Sequence, residues 1–258
     1  MKTVTSKDGT RLAYDQMGEG MPIVLVCGGS VDRMSNAPLA EFLAANFTVY
    51  NYDRRGRGDS ADSAPYAVER EVEDIAAVIQ EVGGSAYLYG TSSGAALALE
   101  AAASQLPITK LALWEPPFMS PDNIPHPPAD TAKIFSDLVA EGKRGEAVEF
   151  FMGKVVGLPP EFVGFARSQP WWPAQEAIAH TLAYDATVMG DYSIPEARAA
   201  SVTIPTLVMA GGASWAWMQN TAQTLAQIIP NGQYRSLPGQ EHNVDPTVIG
   251  PALKEFFL

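Results

Sequence analysis

Ala86-Tyr87-Leu88-Tyr89-Gly90-Thr91-Ser92-Ser93-Gly94-Ala95 runs from an apolar stretch through a Gly-x-Ser-x-Gly turn into an alanine-rich segment that continues to Ala103. Strand, sharp turn and helix in that order make a nucleophile elbow, a strained turn that lifts a serine hydroxyl to the top of a sheet. Glycines at 90 and 94 omit side chains that would collide where strand and helix cross closely. Ser92 is therefore a candidate nucleophile. The amide of Ser93, at the helix N-terminus, is a candidate donor to negative charge developing beside it.

Outward from this turn, strand-length apolar runs alternate with helical patterns. Strands are expected at residues 12–16, 22–27, 48–52, 86–89, 110–114, 206–210 and 233–237, and helices at 38–45, 68–82, 93–105, 218–229 and 246–257. Several strand runs are apolar throughout, as strands covered on both faces are. The fold class expected is α/β, a mostly parallel central sheet flanked by helices. The rhythm breaks between Pro116 and Ala200, where helical patterns cover 129–141, 145–156, 161–167 and 174–186 and no strand is evident. This reads as a helical cap inserted at 116–200 into a core made of residues 1–115 and 201–258, leaving the sheet where open α/β sheets bind ligands.

Composition narrows the partners. The 258 residues are 47% hydrophobic and 18% charged, enough for a sizeable core, and the net charge of −12 disfavours a nucleic-acid partner. The first residues lack a signal-peptide apolar core and no run of 18 apolar residues occurs, so no membrane partner and a cytoplasmic location are expected. One cysteine, Cys27, excludes an internal disulfide and a multi-cysteine metal site; at the end of an apolar run it reads as a small buried residue. No metal and no cofactor are called for, because Gly28-Gly29 and Gly211-Gly212 match neither a dinucleotide fingerprint nor a P-loop.

A serine nucleophile needs a base, and the chain has three histidines. His126 lies in the Pro-rich loop Ile124-Pro125-His126-Pro127-Pro128, and His180 lies within a helical pattern of the insertion. His242 follows a strand and the turn Leu237-Pro238-Gly239-Gln240-Glu241, just before the last helix. That loop carries a side chain over the C-terminal edge of the sheet, where an imidazole can take the serine proton and return it to a leaving group.

Taken together, Val26-Cys27-Gly28-Gly29, Tyr52-Asp53-Arg54-Arg55-Gly56-Arg57-Gly58-Asp59-Ser60, the elbow at Ser92 and Leu237-Pro238-Gly239 before His242 resemble the α/β-hydrolase superfamily over essentially the whole chain. The resemblance implies that Gly29 supplies the second oxyanion amide beside Ser93. It also implies a third member of the triad, and here the chain departs from the commonest pattern. Where an aspartate usually follows the strand at 206–210, this sequence has Ser214, which cannot carry the charge that offsets an imidazolium. Glu115, at the end of the strand 110–114, occupies a position some members use for the acid, and the order Ser92, Glu115, His242 fits Ser…Asp/Glu…His. A glutamate after apolar strand residues is expected to be desolvated, and pairing with His242 would satisfy it. Asp245 is too close to His242 in sequence to be the first choice. Cys27 stands where the family often has histidine, and Thr91 replaces a bulkier elbow residue.

The three arginines at 54, 55 and 57 beside Asp53 and Asp59 read as a locally salt-bridged turn rather than a phosphate site. Aromatic residues are dense in the insertion. Trp171, Trp172 and Trp215 are expected to line a mouth over Ser92, with His180, Tyr184 and Asp185 supplying polar contacts. The expected reaction is hydrolysis of a carboxylic ester or lactone of an apolar small molecule through an acyl-enzyme on Ser92, by a monomer or homodimer. The same residues also suit a non-hydrolytic lyase or cyclase, a perhydrolase, or a ligand-binding receptor. Dehalogenation is disfavoured, because it needs a carboxylate where Ser92 stands.

Overall fold

The computed structural model describes residues 1–119 and 126–258; Ile124 and Pro125 of the Pro-rich loop lie outside the described residues. Among the described residues eight strands form one sheet: β1 (Lys2–Thr5), β2 (Arg11–Met17), β3 (Met21–Val26), β4 (Phe47–Tyr52), β5 (Ala86–Thr91), β6 (Ile108–Trp114), β7 (Thr206–Gly211) and β8 (Gly232–Leu237). Their order is β1-β2-β4-β3-β5-β6-β7-β8. The pairs β1–β2 and β2–β4 are antiparallel and the remainder parallel. The expected α/β class, a mostly parallel sheet flanked by helices, is what the chain forms.

Pleating divides the apolar strands between two cores, since successive side chains point to opposite faces. Ile23 and Leu25 pack with Leu43, Ile249 and Phe257 of α1 (Ala37–Leu43) and α11 (Pro246–Phe257). Val24 and Val26 pack on the other face against α2 (Val68–Glu81), α3 (Ser93–Ala103) and α10 (Ala216–Ile228), with Ile75, Leu97 and Leu225 among the contacts. The alanines of α3 let it lie close to the sheet, so the helix is buried on nearly every side. Each of its leucines, fully buried, stabilises the fold by about 1.5–3 kcal/mol. Cys27 is buried at the end of β3, as its apolar context implied. The edge strand β1 escaped the sequence reading because Lys2-Thr3-Val4-Thr5 is too polar to stand out.

Between β6 and β7 the described residues form helices only: α4 (Thr131–Ala140), α5 (Arg144–Phe150), α6 (Pro160–Arg167), α7 (Trp172–Ala177), α8 (Leu182–Met189) and α9 (Glu196–Ser201). After α5 the chain widens into a π turn over Phe151–Val155. The pattern read as one helix over 174–186 is broken: α7 ends at Ala177 and a 3₁₀ turn, Ala179–Thr181, precedes α8. His180 therefore sits on that turn rather than inside a helix. Short helices of this kind depend on their own packing, here around Phe135, Val148, Trp172 and Leu182.

Trp172 is 5% exposed, and its indole donates to Glu176 Oε1 at 2.9 Å. Trp172→Ala is expected to cost about 3–5 kcal/mol of stability. Urea unfolding of the variant beside the wild-type protein checks it. No helix among the described residues is long and apolar enough to cross a membrane.

Candidate active site

The turn at Ser92 holds its residue at φ 55°, ψ −130°, a conformation L-residues rarely adopt. The close crossing that requires this turn is visible at Gly94, where a Cβ would lie 2.3 Å from Cys27 O and 2.6 Å from Val26 O. Both neighbours are backbone atoms that cannot swing aside, so only glycine lets α3 start this near β3.

His242 and Glu115 meet across 127 positions of sequence. The Nδ1 of His242 lies 2.6 Å from Glu115 Oε2, a hydrogen bond in which the ring nitrogen donates. The other carboxylate oxygen, Oε1, accepts from the amide of Gly211 at 2.8 Å. Glu115 is fully buried and has a φ of 43°, an uncommon value for a residue followed by proline. Its own amide donates to Met209 O at 3.0 Å, tying the strained residue to the end of β7. The neighbouring Trp114 indole donates to His242 O at 2.9 Å, so β6 holds both the carboxylate and the loop that carries the imidazole. An imidazole fixed this way keeps its Nε2 free to accept a proton.

The alternatives fall elsewhere. Ser214 Oγ donates towards Met218 Sδ at 3.8 Å. Asp245 accepts from the Thr247 amide at 2.8 Å and caps α11. His180 Nε2 lies 3.5 Å from Asp62 Oδ2, and its ring stands edge-on to Tyr184.

Ser92 and His242 line one cavity of about 560 Å³. Gly29 and Ser93 line it too, as does Trp215. Its walls are otherwise mainly apolar, with Met119, Phe135, Phe151, Leu182, Met189 and Trp217 contributing. Four of the expected binding residues need correction, His180 among them, since it too is absent from the lining. Trp171 and Trp172 are absent from the lining: Trp172 is spent in helix packing, and Trp171, 45% exposed, projects to the surface beside it. Tyr184 is also outside the cavity, its ring stacked on Tyr66 at 3.9 Å and its hydroxyl donating to Asp62 Oδ2 at 2.8 Å. With His180 on Asp62, this aromatic pair latches α8 to the loop after β4.

The arginine turn also differs from its reading, since its ion pairs are long-range and buried. Arg54 makes a bidentate pair with Glu71, both bonds 2.7 Å, and Arg55 a bidentate pair with Asp74, again both 2.7 Å. Arg57 Nη2 donates to Asp185 Oδ2 at 2.7 Å, and Arg54 Nη1 donates to Asp185 Oδ1 at 2.8 Å. Asp185, on α8, is the one of the three expected polar contacts that lines the cavity. Burial alone would raise its carboxyl, but Arg57 and Arg54 hold it below the ordinary aspartate value. A signal was present: Asp185 shares a helix face with Leu182 and Met189, so it had to be either paired or misplaced. Among the described residues, no cluster of histidine, cysteine, aspartate and glutamate is suited to hold a metal ion.

A strained serine at a strand-to-helix turn, a carboxylate-held histidine and a helix N-terminus around one cavity define the class. A family model described as the alpha/beta hydrolase family matches residues 23–248, and the chain belongs to that family. It is similar to an alpha/beta hydrolase of known structure from Sphaerobacter thermophilus, with 55% identity over the full length of both chains and a TM-score of 0.94. It is 25% identical over 262 residues to a non-heme haloperoxidase of Rhodococcus erythropolis, covering 95% of this chain and 93% of that protein. An uncharacterized hydrolase of Bacillus subtilis, YraK, is 35% identical over 96 residues; that match covers 36% of this chain and about a third, 35%, of YraK.

Proposed function

We propose that the protein is a serine hydrolase of neutral carboxylic esters or lactones of apolar small molecules. In this reading Ser92 attacks the carbonyl carbon, and His242 takes its proton. The tetrahedral oxyanion is met by the amides of Gly29 and Ser93, and collapse expels the alcohol with the proton from His242. Water, deprotonated by His242, then attacks the acyl carbon and releases the acid. Glu115 holds the imidazole in the tautomer this requires and offsets its positive charge.

The observation that carries the reading is the 2.6 Å Glu115–His242 contact at a cavity that Ser92 also lines. Residues 116–200 act as the cap, since Phe135, Phe151, Leu182 and Met189 form one wall of the cavity. Neutrality of the substrate follows from the lining: among the described lining residues there is no lysine or arginine, and both oxygens of Asp185 are already taken. A substrate carboxylate would therefore be desolvated without a partner.

A series of p-nitrophenyl esters of graded acyl length, with the same esters carrying a terminal carboxylate, tests this. Wild-type protein is expected to hydrolyse the neutral series and discriminate against the charged one by at least about a hundredfold, the cost of leaving one charge unpaired. No turnover of any neutral ester would overturn the reading. The likeness to a haloperoxidase favours one second reading, in which hydrogen peroxide replaces water in the second step and a peracid leaves. Peroxide-dependent bromination of monochlorodimedone that disappears with the Ser92 hydroxyl identifies it.

A further inference from the structure

The buried Asp185 lies away from the proposed proton path yet beside both residues whose amides are the proposed oxyanion donors. Its Oδ1 accepts from the Ser93 hydroxyl at 2.8 Å as well as from Arg54. Its Oδ2 accepts from Arg57 Nη2, and Arg57 Nη1 donates to the carbonyls of Gly28 and Val31. The Gly28 carbonyl and the Gly29 amide belong to one peptide plane. In a trans peptide they point in opposite directions, so an arginine that fixes the oxygen also fixes where the N–H points. The carboxylate also lies beside Gly29, where an added Cβ would come within 3.1 Å of Asp185 Oδ2.

We infer that Asp185 is a positioning residue for the oxyanion hole: through Arg57 it sets the Gly29 amide, and through the Ser93 hydroxyl it sets the first turn of α3. The inference rests on the acyl-enzyme reading above. Arg54, Arg57, Glu71 and Asp185 form a cluster of two positive and two negative groups, all buried. With its charges balanced, the cluster acts on the developing oxyanion through orientation more than through net field. Because α8 belongs to the segment between β6 and β7, the same carboxylate makes correct seating of that segment a condition for a formed oxyanion hole.

Asp185→Asn breaks the arrangement at one arm. The amide oxygen can still accept from Arg54 and Ser93, but its NH₂ faces the Arg57 guanidinium, where only an acceptor fits. The readouts are ester kinetics and phosphonylation by an alkyl fluorophosphonate, in which Ser92 Oγ bonds to phosphorus, fluoride leaves and the serine proton passes to His242. Asp185→Asn is expected to lower kcat and the phosphonylation constant by about 10- to 100-fold, with KM within threefold, short of the full loss of a donor. Ser93→Ala removes the other arm without stranding a buried charge, and about a three- to tenfold fall in the same two constants is expected. Thermal unfolding establishes that each variant is folded; if Asp185→Asn is not, Ser93→Ala decides.

Wild-type kcat and phosphonylation in the folded variant overturn the inference, as does a raised KM at unchanged kcat. Faster phosphonylation of Asp185→Asn also overturns it, since that is the signature of a net positive field rather than of positioning. Wild-type protein that neither turns over esters nor accepts the phosphonate at Ser92 removes the acyl-enzyme reading first, and this inference with it.

Discussion

Ser92→Ala is expected to lower kcat/KM on a neutral ester by roughly 10⁴-fold or more, the loss seen when a nucleophile is removed from a triad. The variant keeps Glu115, His242 and both oxyanion amides, so what remains is the orientation of a water molecule without covalent catalysis. Substrate binding is expected to survive, because the apolar cavity wall is unchanged. Stability is expected to hold as well, since the strained backbone at φ 55° is set by Gly94 and β3 rather than by the hydroxyl. Steady-state hydrolysis, equilibrium binding of a non-hydrolysable ketone isostere of the ester and thermal unfolding measure the three parts. A variant that retains more than about a tenth of wild-type turnover would remove Ser92 from the chemistry.

Glu115→Gln carries the second large effect, a fall in kcat of roughly 10³- to 10⁴-fold. The reason lies in which atom each oxygen serves. Oε1 accepts from the Gly211 amide and Oε2 accepts from His242 Nδ1. A glutamine that keeps its oxygen towards Gly211 must turn its NH₂ towards Nδ1. That forces the imidazole into the tautomer with the proton on Nε2, where it cannot take one from Ser92. The opposite flip sets NH₂ against the Gly211 amide, donor against donor, in a buried place. Shape is conserved in either case, so the unfolding midpoint should move by only a few degrees while turnover collapses. Ring-nitrogen shifts of His242 by NMR report the tautomer independently of rate. Near-normal turnover in Glu115→Gln would give the acid's role to another group.

The elbow and the strand rhythm were legible because each is a local pattern, apolar runs and a glycine-spaced turn, whereas Glu115 was reached through the family resemblance, which offers that strand end for the acid. Other features were hidden for physical reasons. The edge strand β1 is largely exposed, with none of its four residues buried, so it needs no apolar run. The break between α7 and α8 is a tightened turn of three residues, Ala179–Thr181, too short to interrupt visibly the apolar pattern that reads as one helix. Trp171 and Trp172 showed their size but not their direction, which is set by the packing of α7 against α5. The arginines were misread as local because their partners lie on α2 and α8, the latter some 130 positions away (131 for Arg54, 128 for Arg57). Only the folded chain brings those charges together, and with them Asp185 to the cavity.

Intact-protein mass spectrometry after rapid acid quench of a slowly deacylating aryl ester bears most directly on whether residues 92, 115 and 242 work as one unit. The account predicts an added acyl mass on wild-type protein within the first turnover, mapped to the peptide containing Ser92. It predicts that this mass forms far more slowly in Glu115→Gln. Free acid released at the wild-type rate with no adduct at any time, or an adduct mapped to another residue, would contradict it.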